Sequence, residues 1–279
     1  MSNLIHQPCG DCGSSDALQI NIAENGAVKS TFCHSCGQYT AASDGYSPVE
    51  IPEPSEPKPK PDFSSVERML TTANYQAIVS RGLNTATAKT YGILEKPDKT
   101  YFSYHDPEDA NVPIAAKIRL PDKNFYNVGN WSGAGLFGQQ LFNGGGKYIT
   151  LCEGEFDAAA AYQMQGSKYA CVSVRNGAGG ALKDCKAAYE YLDSFEAIII
   201  CFDADEAGCK ASKEVAELFS GKAAIVKHTG GHKDACDYLV ANDIKGFTAA
   251  FWAAEKFVPD GIINGASLWD EVNRPVEKS

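Results

Sequence analysis

Lys147 to Ala161 reads KYITLCEGEFDAAAA and Ala197 to Gly208 reads AIIICFDADEAG, and these two stretches decide the fold. In each, a short apolar run gives way to acids and a glycine or alanine, and then to a segment with the composition of a helix. KYITLC is a short apolar run and AIIICF a fully buried strand, whereas EFDAAAAYQMQ has the alanine content of a helix. Between them, YACVSV (169–174) reads as a second strand. LKDCKAAYEYL (182–192) reads as a helix with Leu182, Cys185, Tyr189 and Leu192 on one face. DEAGCKASKEVAELF (205–219) carries Ala211, Val215, Leu218 and Phe219 at helical spacing, and AAIVKH (223–228) closes the series. Strand and helix in strict alternation mean crossover units, so the expected class is α/β with a mostly parallel sheet and helices on its faces.

Working outward, Phe63 to Arg81 predicts a helix, with Val66, Met69, Leu70, Ile78 and Val79 at roughly helical spacing. In RGLNTATAKTYGIL a glycine stops that helix and Asn84 caps a short second one. Tyr101 to Tyr126 is β-like, as YFSYHD, VPIAAKIRL and NFYNV broken by turn residues. Tyr46 to Asp62 holds six of the 13 prolines, interleaved with Glu and Lys, which forbids a helix or strand interior. At about 3.1 Å per residue such a spacer reaches roughly 50 Å. The expected organisation is a module over residues 1–45, a proline-rich linker over 46–62 and a larger domain over 63–261. That domain divides into subdomains 63–146 and 147–261, and residues 262–279 begin a connector to something further on. A module of about 45 residues cannot hold itself together by core burial alone and needs a staple.

The staple is Cys9-x-x-Cys12 followed, after 20 residues, by Cys33-x-x-Cys36. Two such pairs complete a tetrahedron of thiolates around one structural Zn2+, and NIAENGAVKSTF between them supplies two short strands about Asn25-Gly26, making a zinc ribbon. A closed four-cysteine site has no open position for catalysis. The other six cysteines (Cys152, Cys171, Cys185, Cys201, Cys209, Cys236) are scattered through apolar or helical stretches and read as reduced thiols. No apolar run of 18 residues and no export-type start exists, which points to the cytoplasm and away from membranes.

The chemistry lies at the strand ends. Glu153 and Asp157 follow one strand, Asp203 and Asp205 follow another, and Asp234 in Lys233-Asp234-Ala235 follows a third. In open α/β sheets the carboxyl ends of strands form the ligand site. Acids crowded there repel unless cations neutralise them, and hard oxygen ligands favour Mg2+ or Mn2+, ions suited to phosphoryl transfer. One such acid alone reads as a helix cap; three strand ends in succession do not. The formal net charge of −10 argues against a nucleic-acid partner, but bound cations would offset part of it. Charge is also uneven: from Ala110 to Lys147, Lys117, Arg119, Lys123 and Lys147 stand against Asp122 alone.

EGEFD, FDADEAG and KDA together resemble the TOPRIM signature of primases, type IA and II topoisomerases and some nucleases. A four-cysteine ribbon, a proline linker and this segment, in that order, resemble the primase half of the bifunctional primase–helicases of T-odd lytic phages. AKIRLPDKNF, LFGQQLFNGGGKYITLCEGEFDAAAA and YEYLDSFEAIIICFDADEAG carry the likeness further, from about Pro8 to Gly261. The resemblance implies a TOPRIM-type RNA polymerase domain that makes short RNA primers from nucleoside triphosphates on a single-stranded DNA template. It implies Glu153 as principal catalytic carboxylate, Asp203 and Asp205 as Mg2+ ligands, Asp234 completing the cluster and Asp157 as a further ligand. It implies Lys117 and Lys123 as lysines that grip the triphosphate, and a ribbon that helps select the template. Its implied partners are a helicase domain in the full-length protein and a replicative DNA polymerase, in an infected bacterial cell. Val28, Lys29, Ser30 and Thr31 stand where family members can carry a template-reading histidine. GNWSGAGLFG and RNGAGGAL are glycine-rich without matching the phosphate loop of a helicase motor, which is found nowhere in the chain.

The principal rival is a zinc-and-TOPRIM recombination-mediator scaffold that binds DNA without catalysis. Such proteins start with a helix-hairpin-helix segment and lack a long proline linker. A topoisomerase would need a tyrosine nucleophile on another domain, and nothing marks any of the 13 tyrosines for that. The size of the second domain disfavours a pure ribbon adaptor.

Overall fold

Asn3–Gln7 (β1), Leu18–Ile22 (β2), Val28–Cys33 (β3) and Tyr39–Ala41 (β4) form an antiparallel sheet in that order. The computed structural model describes residues 3–9, 17–23, 28–34, 38–41, 63–109 and 111–259. The chain divides into two units, Met1–Pro61 and Asp62–Ser279. In the first, β2 and β3 are the two strands expected between the cysteine pairs. Among its described residues, Ile20, Val28, Cys9 and Cys33 are buried. The Cys33 amide donates to the Gln38 carbonyl (2.9 Å), closing the chain back on itself after the third cysteine. Cys12 and Cys36, the Asn25-Gly26 turn, the linker 46–62 and residues 262–279 lie outside the described residues.

The second unit opens with Phe63–Thr71 (α1) and Thr85–Tyr91 (α2). Asn84 caps α2 as expected, its side chain accepting from the Thr87 amide (2.8 Å). The helix expected from Phe63 to Arg81 stops at Thr71. There the Thr71 and Thr72 hydroxyls bond back to the Glu67 and Arg68 carbonyls, and the Tyr75 hydroxyl takes the Leu70 carbonyl. The apolar spacing beyond that point is accidental: Ile78 is fully buried in a tight Ile78–Leu83 loop, while Val79 points into solvent. Ile93–Lys96 (β5), Lys99–His105 (β6), Pro113–Arg119 (β7) and Phe125–Gly129 (β8) form a sequential antiparallel sheet.

Tyr148–Cys152 (β9), Ala170–Ser173 (β10), Ala197–Cys201 (β11) and Ala223–Ile225 (β12) are parallel, in the order β10-β9-β11-β12, with antiparallel Glu255–Lys256 (β13) at the edge. The sheet is therefore mostly parallel, as the sequence implies. Its helices are Glu155–Met164 (α3), Gly177–Ala187 (α4), Tyr189–Asp193 (α5), Glu206–Leu218 (α6), Ala235–Val240 (α7) and Ile244–Trp252 (α8). One face of the sheet carries α3, α7 and α8, and the other carries α4 and α6. Helices on both faces explain why β9, β10 and β11 are unbroken apolar runs. Ala158 to Ala161 are all fully buried, and their small side chains let α3 lie close on the strands. Each buried isoleucine of β11 contributes about 1.5–3 kcal/mol relative to exposure.

The helix expected over 182–192 begins earlier and is broken. In RNGAGGAL, Arg175 and Asn176 lead into α4 and Gly177 to Leu182 form its first turns; the chain breaks at Ala188 before α5. Asp184 ties down the start of α4, facing inward and not along the solvent side: its carboxylate receives the Arg175 and Asn176 amides (2.8 and 3.1 Å) and the Arg175 guanidinium (3.1 Å). Tyr189 leaves the expected face and stacks on Phe219.

Candidate active site

Every acid singled out in the sequence stands at the carboxyl edge of the parallel sheet. Glu153 and Gly154 connect β9 to α3, so Asp157 falls in the first turn of that helix. Asp203 leaves β11, and Asp205 caps α6 by accepting from the Gly208 amide (2.7 Å). Asp234 caps α7 through the Asp237 amide (2.7 Å), and the Ala204 amide donates to the Lys233 carbonyl (2.8 Å), tying the two loops together. The helix-cap role and the cluster role thus coexist in Asp205 and Asp234.

The acids feel one another. Burial pushes the Asp203 carboxyl up to about 7, with the charges of Glu153, Asp234 and Asp205 adding to the rise. Asp157 is driven well above the usual carboxylate range, first by burial and then by Asp234 and Asp203; the Cys236 amide (3.0 Å) opposes this. Glu153 is raised by burial and by Asp205, while the Ala178 and Asp203 amides hold its charged form. Its Oε1 accepts from Ala178 (3.1 Å), but its buried Oε2 has no hydrogen-bond partner. A buried, partnerless carboxylate oxygen among mutually repelling acids is the signature of a site that takes a cation. The donors are all hard oxygens, which fits Mg2+ or Mn2+. Among the described residues, no three such side chains converge closely enough to hold a cation as they stand.

The two expected lysines occupy different environments. Lys123 is exposed, at a left-handed position (φ 67°) in the turn between β7 and β8. It lines a cavity of about 320 Å3 with Arg81, Lys96, Lys99, Arg119 and Phe156. The Arg81 and Arg119 guanidinium groups lie over the Phe156 ring, 4.8 and 5.8 Å from its centre. Lys117 is nearly buried. Its ammonium pairs with Glu155 Oε1 (2.7 Å), donates to the Arg175 carbonyl (3.0 Å) and lies over the Phe125 ring (4.7 Å).

Sequence reading gave no role to Glu155, Arg81, Lys96, Lys99 or Arg119. A signal existed for Arg119, because Lys117 and Arg119 share one face of β7 by period-two alternation. Arg81 belonged to a stretch read as helix, and Lys96 and Lys99 reach the cavity only through the β5–β6 turn. In the N-terminal unit Cys9 and Cys33 are both buried, and Cys12 and Cys36 lie outside the described residues.

Three comparisons bear on this arrangement. A Toprim-like family profile matches residues 150–239, the span from β9 to α7 that carries all five acids. A DNA helicase/primase of Enterobacteria phage T3 is 33% identical over 273 residues, 96% of this chain, and this chain spans about half (47%) of that protein's length. Among solved structures, the primase fragment of the bacteriophage T7 primase-helicase is 33% identical with a TM-score of 0.58, covering 90% of this chain and 100% of that one. A second T7 structure holds the lagging-strand DNA polymerase interacting with primase domains of two subunits bound to an RNA/DNA hybrid and dTTP. There the match is 36% identical with a TM-score of 0.58, covering 66% of this chain and 94% of that one.

Proposed function

This chain belongs to the family formed by the primase part of T7-type phage primase–helicases, and on that premise we propose that it is a DNA primase, joining nucleoside triphosphates into short RNA primers on single-stranded DNA. The observation that carries the reading is the acidic edge of the parallel sheet, with its partnerless Glu153 Oε2, beside a basic cavity of a few hundred cubic ångströms. Mg2+ or Mn2+ bound there would stabilise charge on the attacking and leaving oxygens. Glu153, Asp203 and Asp205 would hold it, with Asp234 and Asp157 behind them. Glu153, its carboxyl raised by burial, would alternatively accept the proton of the primer's 3′-hydroxyl. Lys123 stands exposed to meet a triphosphate, together with Arg81, Arg119, Lys96 and Lys99; Lys117 would first have to leave Glu155. Joining two nucleotides then needs little beyond alignment and charge neutralisation.

In this reading residues 1–45 are a ribbon whose Cys9, Cys12, Cys33 and Cys36 hold one structural Zn2+ and which helps select the template. Residues 46–62 are its linker and 63–261 the polymerase domain. A helicase domain and a replicative polymerase are the partners that the relatives' own descriptions support. The scaffold alternative is not favoured, because the relatives that match over most of the chain are primases. Among the described residues no helix is long and apolar enough to cross a membrane.

The test is primer synthesis on single-stranded DNA of mixed sequence with Mg2+ and labelled nucleoside triphosphates. Short oligoribonucleotides should form, and Glu153→Ala should reduce them by more than about a hundredfold. No product on any template, with Mn2+ tried as well and zinc intact, would refute the reading and return the DNA-binding scaffold.

A further inference from the structure

We propose that Glu155 is a positioning residue for Glu153, acting through Lys117 and residues 175–178, which lead into and begin α4; this rests on the primase reading above. Glu155 sits two residues after the principal carboxylate, in the same EGEFD run, and is almost fully buried. It is not arranged as another cation ligand. Its Oε1 already accepts from the Tyr104 hydroxyl (2.7 Å) and from the Lys117 ammonium (2.7 Å). Tyr104 is itself buried, its ring packed against Trp131 and Phe137 (centroids 4.7 and 5.4 Å apart), so the carboxylate is fixed from the β6 side.

Lys117 carries the constraint onward. From β7 it crosses to the β10–α4 loop and donates to the Arg175 carbonyl (3.0 Å). Three residues later the Ala178 amide donates to Glu153 Oε1 (3.1 Å). The loop is anchored at its other side by Asp184, which holds the Arg175 and Asn176 amides, and by the Arg175 guanidinium on the Trp131 and Ala134 carbonyls (3.0 and 2.7 Å). A continuous path of hydrogen bonds and short backbone thus runs Tyr104–Glu155–Lys117–Arg175–Ala178–Glu153. It joins the antiparallel sheet to the acidic edge of the parallel one. The charge of Glu155 matters to the path, because a buried ammonium needs a buried anion to stay in place. With a neutral partner, Lys117 would swing toward water and release the Arg175 carbonyl. Ala178 would then no longer hold Glu153 in one orientation.

Glu155→Gln tests this, since glutamine keeps the size and the Tyr104 contact but loses the charge. Supporting primer synthesis on wild-type protein comes first. In the variant, kcat should fall about 10–100-fold, the range for removing a group that orients a ligand side chain, with KM for nucleoside triphosphate within about twofold. Hydrogen exchange should accelerate at the amides of 175–178 and not in β11. Lys117→Met should reproduce both effects, and the double variant should be no worse than either single one. A raised KM at constant kcat would overturn the proposal, showing that Lys117 serves the nucleotide directly. So would unchanged exchange at Ala178, or faster exchange throughout with a lowered melting temperature, which would mark Glu155 as merely structural. If the wild type makes no primer, the primase reading fails, and the exchange experiment still decides whether Glu155 holds the loop.

Discussion

Gly208 offers the sharpest test of the geometry around Asp203. A Cβ built there would collide with the Asp203 carbonyl oxygen and lie 3.0 Å from its carbonyl carbon and 3.1 Å from its nitrogen, all backbone atoms. Nothing flexible can yield, so Gly208→Ala must move the first turn of α6 and the Asp203 loop apart by about 1 Å to restore ordinary contact. The same turn carries Asp205, whose carboxylate is tied to the Gly208 amide. Overpacking of this kind costs about 1–3 kcal/mol, offset by less than about 1 kcal/mol of alanine's helical preference. A net loss of about 1–2 kcal/mol in a unit this large lowers Tm by roughly 2–8 °C. A displacement of about 1 Å at the reacting centre costs roughly a hundredfold in rate. The control is Gly179→Ala, another helical glycine, whose added Cβ meets nothing within 4 Å. It should raise Tm slightly. Calorimetry and primer synthesis on both variants decide the matter. If Gly208→Ala melts and works like Gly179→Ala, the close approach between α6 and Asp203 does not exist in solution.

Two further outcomes are expected. In metal-free protein the raised Asp203 carboxyl binds its proton more tightly when folded. Its contribution is therefore present below about pH 4 and lost as pH rises through about 7, and the buried Asp157 acts in the same direction. Relative to Asp203→Asn, the wild type should lose Tm between pH 5 and 8 and regain it at pH 8 on adding Mg2+; parallel profiles for the two proteins would contradict the crowding of these acids. Lys123→Ala removes one charged contact from an exposed turn, so KM for nucleoside triphosphate should rise about 10–100-fold with Tm unchanged. Steady-state kinetics showing a loss confined to kcat would remove Lys123 from the triphosphate site.

The parallel sheet was legible because its strands are buried on both faces, which leaves KYITLC, YACVSV and AIIICF as mostly apolar runs interrupted within the strands only by the small polar Thr150 and Ser173. The acids were legible because they recur at three successive strand ends, although capping of α6 and α7 alone would account for Asp205 and Asp234. Local helix limits were less legible. Thr71 and Thr72 end α1 by side-chain bonds to backbone, and apolar residues that continue its spacing by accident hide the stop. The inward Asp184 breaks the amphipathic reading of α4, because a charged residue on that helix is expected to face water and this one is needed by Arg175. The basic cavity was illegible for a different reason: Arg81, Lys96, Arg119 and Lys123 come from separate turns and strands, and only the tertiary fold brings them around Phe156.

The first turn of α3 shows how an acidic chain can keep a cluster of cationic side chains on one side. Successive helical residues point about 100° apart, so Glu155, Phe156 and Asp157 face three different environments. Glu155 meets Lys117 and Tyr104, Phe156 floors the basic cavity under two guanidinium groups, and Asp157 joins Asp203 and Asp234. Negative charge from the sequence sum is thereby partitioned: part is neutralised internally by Lys117, and part is gathered with Asp203 and Asp234, where burial and mutual repulsion raise the carboxyls. Arg119 over Phe156 still feels both neighbouring acids: burial and Arg81 lower its pKa, while the charges of Glu155 and Asp157 favour its protonated form. A formal charge of −10 therefore does not preclude a local cluster of cations: Arg81, Lys96, Lys99, Arg119 and Lys123 line one cavity, with Glu95 and Asp98 the acids among its lining.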